Sequence, residues 1–149
     1  MSGSMESLYQ EVILDLAKHP RAKGLLPDAD AESHQLNPTC GDEITLQLRL
    51  APGTDRVAHL AWDGHGCAIS QASASILADL APTLTTGDLL GRIDLFRTAM
   101  RSRGTIVPDE ELLGDAVALS GVSRYSARVK CAMLAWVAAE AAVATLPAA

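Results

Sequence analysis

The side chains with the widest chemical reach in this sequence are three cysteines and one aspartate: Cys40, Asp42, Cys67 and Cys131. A cysteine can be a metal ligand, a nucleophile once deprotonated, or a small buried apolar group. An odd number of cysteines argues against a disulfide framework and for reduced thiols, as in the cytosol. No close-spaced pair of the zinc-finger kind is present, so only a folded domain brings these residues together. Asp42 shares parity with Ile44, Leu46, Leu48 and Leu50, the apolar positions of an alternating segment. A strand regular to its start therefore aims Asp42, and Cys40, at the buried side. A carboxylate aimed at apolar surroundings is costly unless compensated, and a metal ion sharing a thiolate would compensate it. The alternatives are a frayed strand start or a turn with Asp42 in solvent.

Cys67 follows Gly64-His65-Gly66 and opens a helix, where backbone N–H groups favour a thiolate and glycines permit close backbone approach. Cys131 lies in the last helix, just after Arg128 and Lys130, whose charges would offset a cluster of anionic ligands. It also reads as packing filler. His65 is an alternative ligand by its nearness to Cys67, but reads better as an exposed loop histidine. His19, His34 and His59 read as surface or rim residues, and Trp62 and Trp136 as core or interface.

The elements that must position these residues follow from hydrophobic period. Leu8, Tyr9, Val12, Ile13 and Leu16 mark an amphipathic helix over 6–18, ended by His19-Pro20. Residues 20–38 read as a loop, with one short strand around Ala31–Gln35. Residues 43–50 are a half-buried strand, 51–55 a turn and 56–63 the return strand, broken by Asp63-Gly64-His65-Gly66. From Ala68 to Pro82 the pattern is helical. Thr85 or Thr86 caps a further helix carrying Leu89, Leu90, Ile93 and Phe96. Residues 101–109 form a loop, Glu110–Leu119 a short helix, and Tyr125 to Ala144 a well-buried final helix. One strand group followed by helices implies an α+β fold, a small antiparallel sheet of about three strands with helices on one face. A single domain over 6–145 follows, with 1–5 as a flexible start.

Composition narrows function by exclusion. The length of 149 residues suits one compact domain, and 48% hydrophobic with 20% charged residues is a globular balance. A net charge of -6 without a Lys/Arg run speaks against nucleic-acid binding. No apolar run reaches bilayer length, and the start lacks the regions of a signal peptide, so a cytoplasmic protein is expected.

Taken together, the motifs resemble the SufU family, within the wider group of IscU-like and NifU N-terminal assembly proteins. Asn37-Pro38-Thr39-Cys40-Gly41-Asp42 resembles the family's first motif, Gly64-His65-Gly66-Cys67-Ala68-Ile69-Ser70 the second and Arg128-Val129-Lys130-Cys131-Ala132 the third. The first helix, Leu8 to Asp15 with Lys18-His19-Pro20, is similar too, so the resemblance runs from about residue 6 to 140. Lys130 stands where scaffold-type members carry a histidine, and the stretch Arg101–Tyr125 resembles the SufU insertion. The chain departs from the family at Leu16-Ala17, where aromatic residues or histidine are usual.

The resemblance implies iron–sulfur cluster assembly. It implies one zinc per chain held by Cys40, Asp42, Cys67 and Cys131, with Arg128 and Lys130 as neutralising charge. Its loop position makes Cys40 the ligand expected to leave and accept persulfide sulfur from a SufS-type cysteine desulfurase, a histidine of which fills the vacated place. A downstream assembly scaffold would then receive the sulfur. A scaffold binding iron or a nascent cluster on the same ligands, and a zinc-stabilised adaptor without chemistry, are the competing readings.

Overall fold

The computed structural model describes residues 2–39 and 41–147, with the side chains of 2–6 outside the description. Helix α1 (Ser2–Lys18) leads to three strands, β1 (Ala31–Asn37), β2 (Asp42–Leu50) and β3 (Val57–His65). Helices α2 (Ala68–Leu80), α3 (Thr86–Arg101) and α4 (Glu110–Leu113) follow, then tight 3-10 turns over Gly114–Arg124, and finally α5 (Ser126–Ala144). The strands form one antiparallel sheet in the order β1-β2-β3. The α+β fold expected from the sequence is the fold observed, with α1 taking in residues 2–5 as well.

Alternation along β2 sets the layers. Ile44, Leu46 and Leu48 are buried and meet Leu60 and Trp62 of β3 and Ala31 of β1 on the same face. α5 crosses that face over β1 and β2, and α2 packs against both α5 and α1 and reaches β3. Because α5 is enclosed on most sides, its apolar residues run all round it: Ala132, Met133, Leu134, Ala135, Trp136, Ala138 and Ala139 are all buried. Trp136 stacks on Phe96 of α3, ring centroids 4.0 Å apart. Its indole N–H donates to Ser73 Oγ at 2.8 Å, and that hydroxyl donates to the Ala132 carbonyl at 2.6 Å. The most buried polar chain in the core thus ties α2 to α5 one turn beyond Cys131.

Three sequence expectations are corrected. The strand break expected at Asp63-Gly64-His65-Gly66 comes later, since β3 keeps pairing through Glu43↔His65. Gly64 allows this: at φ +154, a Cβ there would lie 2.1 Å from the Glu43 carbonyl oxygen. Gln47, on the polar side of β2, is nonetheless buried. The segment after Pro20 folds over it: the Leu26 N–H donates to Gln47 Oε1 at 2.6 Å, and Gln47 Nε2 donates to Glu32 at 2.9 Å. The expected helix Glu110–Leu119 stops at Leu113, because Gly114 turns the chain at φ 53 and tighter 3-10 turns replace it. Of the two cap candidates it is Thr85 that caps α3, its hydroxyl accepting from the Asp88 N–H at 3.0 Å.

Candidate metal centre

Three elements converge at the open end of the sheet. Asp42 is the first residue of β2, Cys67 the residue before the first turn of α2, and Cys131 lies in the second turn of α5. One carboxylate oxygen of Asp42 and the two sulfur atoms all lie within 4.8 Å of one another. Asp42 is 1% exposed and Cys131 is fully enclosed, while Cys67 is half-buried at the mouth. The parity reading of Asp42 therefore holds. Its pairing partner Asn37 closes β1, and the intervening turn is drawn tight by Gly41, whose N–H donates to the Asn37 carbonyl at 2.8 Å with φ +74. Cys40 sits within this turn in sequence but lies outside the described residues.

The carboxylate is oriented by backbone. Asp42 Oδ1 accepts from the Cys67 N–H at 3.0 Å, the orphan donor that a helix start leaves available. Its other oxygen lies 3.8 Å from Cys67 Sγ. Around a tetrahedral zinc with ordinary bond lengths, a sulfur and a carboxylate oxygen stand about 3.5 Å apart and two sulfurs about 3.8 Å apart. The observed group needs only small adjustments to meet that geometry, and two cysteines with one aspartate are a donor set zinc accepts. A carboxylate this enclosed, met by the Cys67 N–H, is what a cation would compensate further.

Gly66 is the residue that lets the parts fit. A Cβ there would stand 2.6 Å from Asp42 Oδ1 and 2.4 Å from Ser70 Oγ. The sequence singles out this glycine for backbone approach to a ligand, but its contact is with the Asp42 carboxylate itself. Ser70 was missed. It is buried, its hydroxyl donates to the Cys67 carbonyl at 3.0 Å, and it lies 3.9 Å from Cys67 Sγ. The signal available was its position three residues after Cys67 on a helix start, where side chains share a face.

His65 is not drawn into the centre. It ends β3 on the opposite side of the sheet, 73% exposed, with Nε2 3.3 Å from Glu43 Oε1. His19, His34 and His59 are exposed, as read from the sequence, and both tryptophans are buried. Arg128 and Lys130 stand exposed on the first turns of α5 and enter no ion pair among the described residues. No helix is long and apolar enough to cross a membrane among the described residues.

Comparison with known proteins identifies the family. The model of the NifU-like N terminal domain matches residues 8–132. The zinc-dependent sulfurtransferase SufU of Bacillus subtilis is 39% identical over 143 residues, covering 96% of this chain and 94% of that protein. The iron–sulfur cluster assembly scaffold protein IscU of Streptococcus pyogenes is 33% identical over 141 residues, covering 95% of this chain and 86% of that protein. Among solved structures, an iron–sulfur cluster assembly scaffold protein for the SUF system from Fervidobacterium islandicum superposes with a TM-score of 0.81 at 32% identity, over 89% of this chain and 94% of that one. With the three-element centre and the sheet beneath it both in place, the chain belongs to the NifU-like N-terminal domain family, the family of the SufU and IscU iron–sulfur cluster assembly proteins.

Proposed function

We propose that this protein serves iron–sulfur cluster assembly as a zinc-dependent sulfur-transfer protein. In this reading it takes sulfur from a SufS-type cysteine desulfurase on Cys40 and passes it to a downstream assembly protein. The observation that carries the reading is the convergence of Asp42, Cys67 and Cys131 within 4.8 Å from three distant parts of the chain. Cys40 is the proposed fourth ligand. Its separation from Asp42 by two residues in sequence, a span of at most about 7 Å, is compatible with that role. When bound, zinc would hold its thiolate ligands deprotonated at neutral pH.

The residues divide the work. Cys67 stands at the start of one helix and Cys131 within another, whereas Cys40 lies in sequence between Pro38 and Gly41, the position for which the family resemblance implies the acceptor role. Its sulfur attacks the terminal sulfur of the desulfurase persulfide. One S–S bond forms on Cys40, the S–S bond of the donor breaks, and the desulfurase cysteine leaves as thiolate. An acceptor thiolate repeats the exchange and releases Cys40. Asp42, fixed by the Cys67 N–H, orients the centre. Arg128 and Lys130 offset its negative charge through space, weakly, because both stand in water.

A scaffold reading uses the same ligands for iron or a cluster. The position before Cys131 is Lys130, exposed and carrying no imidazole, which favours sulfur transfer. The test is incubation with a cysteine desulfurase and cysteine, followed by intact-mass and zinc measurement on the same sample. One added sulfur on Cys40 with zinc retained is expected. A stable cluster without zinc establishes the scaffold instead, and desulfurase stimulation undiminished in Cys40→Ala removes Cys40 as acceptor. Absence of any stimulation by the parent protein supports an adaptor role.

A further inference from the structure

The solvent face of the sheet carries a second group of ligand-type side chains, one from each strand. His34 stands on β1, Glu43 on β2 and His65 on β3. Glu43 lies directly opposite His65, and His34, paired with Thr45, is its diagonal neighbour. The carboxylate is gripped from both sides: Oε2 is 2.5 Å from His34 Nε2, and Oε1 is 3.3 Å from His65 Nε2. Strand alternation turns all three away from Asp42, so this group is separate from the inner centre. A small crevice at this edge is lined by Glu43 and His65 together with Ser70, whose hydroxyl lies 3.9 Å from the Cys67 sulfur.

Two imidazoles and a carboxylate are the donors that borderline divalent ions take. The side chains are 54%, 39% and 73% exposed for His34, Glu43 and His65, so they can turn without disturbing the core. Each imidazole now meets a different carboxylate oxygen. A single ion would draw both Nε2 atoms toward one side of the carboxylate and replace the His34–Glu43 hydrogen bond and the longer His65–Glu43 contact with metal–ligand bonds. The chain's net charge of -6 favours a cation.

We propose that His34, Glu43 and His65 form an outer site for a divalent borderline transition-metal ion, such as nickel or zinc, distinct from the Asp42–Cys67–Cys131 centre. Among the described residues only the inner Asp42–Cys67–Cys131 group already has its ligand atoms at mutual metal-ligand spacing, so the outer site forms by rotation of the two exposed imidazoles toward one another, and it does not depend on the sulfur-transfer reading. The chain has four histidines, which makes the test specific. Zinc-loaded protein is titrated with nickel(II) while the imidazole proton resonances are followed. Those of His34 and His65 are expected to broaden together at nickel concentrations that leave His19 and His59 unchanged, with no thiolate-to-nickel charge-transfer absorption. In His34→Gln, the nickel needed to broaden His65 rises about tenfold or more, as loss of one ligand in three demands. Broadening of all four histidines over one range overturns the proposal. So does an unchanged His65 midpoint in His34→Gln, or charge-transfer absorption that grows in step with the histidine signals.

Discussion

Replacing Gly66 by alanine adds one methyl group where the centre has no room for it. The new Cβ stands 2.6 Å from Asp42 Oδ1 and 2.4 Å from Ser70 Oγ. Ser70 can relieve its contact by rotating its hydroxyl. Asp42 cannot move freely, because it is enclosed and bound to the Cys67 N–H at 3.0 Å. An ordinary contact begins near 3.4 Å, so the carboxylate must yield by about 0.8 Å or the turn before α2 must shift as far. Either movement strains the hydrogen bond to a charged acceptor, worth about 1.5–3 kcal/mol, which corresponds to roughly 10–150-fold in zinc affinity. Competition against a chromophoric chelator measures that loss. Denaturant unfolding of the metal-free protein measures the remainder, about 1–3 kcal/mol for an overpacked site. Parental zinc affinity in Gly66→Ala would refute the view that this glycine exists to seat the carboxylate. Gly64→Ala is the contrasting case. Its Cβ meets the Glu43 backbone oxygen at 2.1 Å, so it should disturb β2–β3 pairing and destabilise the protein with or without metal.

Ser73→Ala should destabilise by about 1–3 kcal/mol in chemical unfolding, because it strips the buried Trp136 N–H of its acceptor. Gly91→Ala, on the exposed side of α3 with nothing within 4 Å of the new methyl, should stabilise by about 0.5–1 kcal/mol on the same assay. Arg97 bridges Asp94 and Glu140, and its hydrogen bond to Glu140 holds the guanidinium's pKa above the ordinary arginine value. A raised folded pKa gives stability that is complete below the unfolded value and lost only as pH rises through the folded one. The cost of Arg97→Ala, roughly 1 kcal/mol, should therefore be the same at pH 6 and pH 9 in parallel melts. Removing bound metal with a chelator should lower the melting temperature, by the equivalent of about 2.7 kcal/mol where free zinc had stood at a hundred times its dissociation constant.

Much of the fold was legible because its residues obey simple periods. The alternation of Ile44, Leu46 and Leu48 gave the inward face of β2, and extending it by one step placed Asp42 correctly. Gln47 escaped that logic because what buries it is not its own strand but the Leu26 segment laid over it, a contact no local pattern encodes. Gly64 was misread for a related reason. A glycine signals freedom of backbone, and here that freedom serves close approach of a neighbouring strand instead of a turn. At the centre, the motifs marked Cys67 and Cys131 as candidates, but their meeting depends on α5 crossing the sheet, which is a property of packing. Ser70 stands in the second motif, but its contact with Cys67 was not legible, because a serine in a helix has many ordinary reasons to be there. Cys40, on which the proposed transfer chemistry turns, lies outside the described residues.

The three residues of the candidate centre are separated by 25 residues between Asp42 and Cys67 and by roughly 64 between Cys67 and Cys131. An ion held by all three is, topologically, a cross-link that closes two long loops. By the loop-closure relation used for disulfides, tying loops of such lengths in an otherwise unfolded chain costs about 3.5 and 4.3 kcal/mol in chain entropy. The metal thus has little reason to organise these ligands before the sheet and α5 have met, and strong reason to remain afterwards. Occupancy becomes a report that folding is complete: a chain carrying its ion is a chain whose distant parts have already found one another.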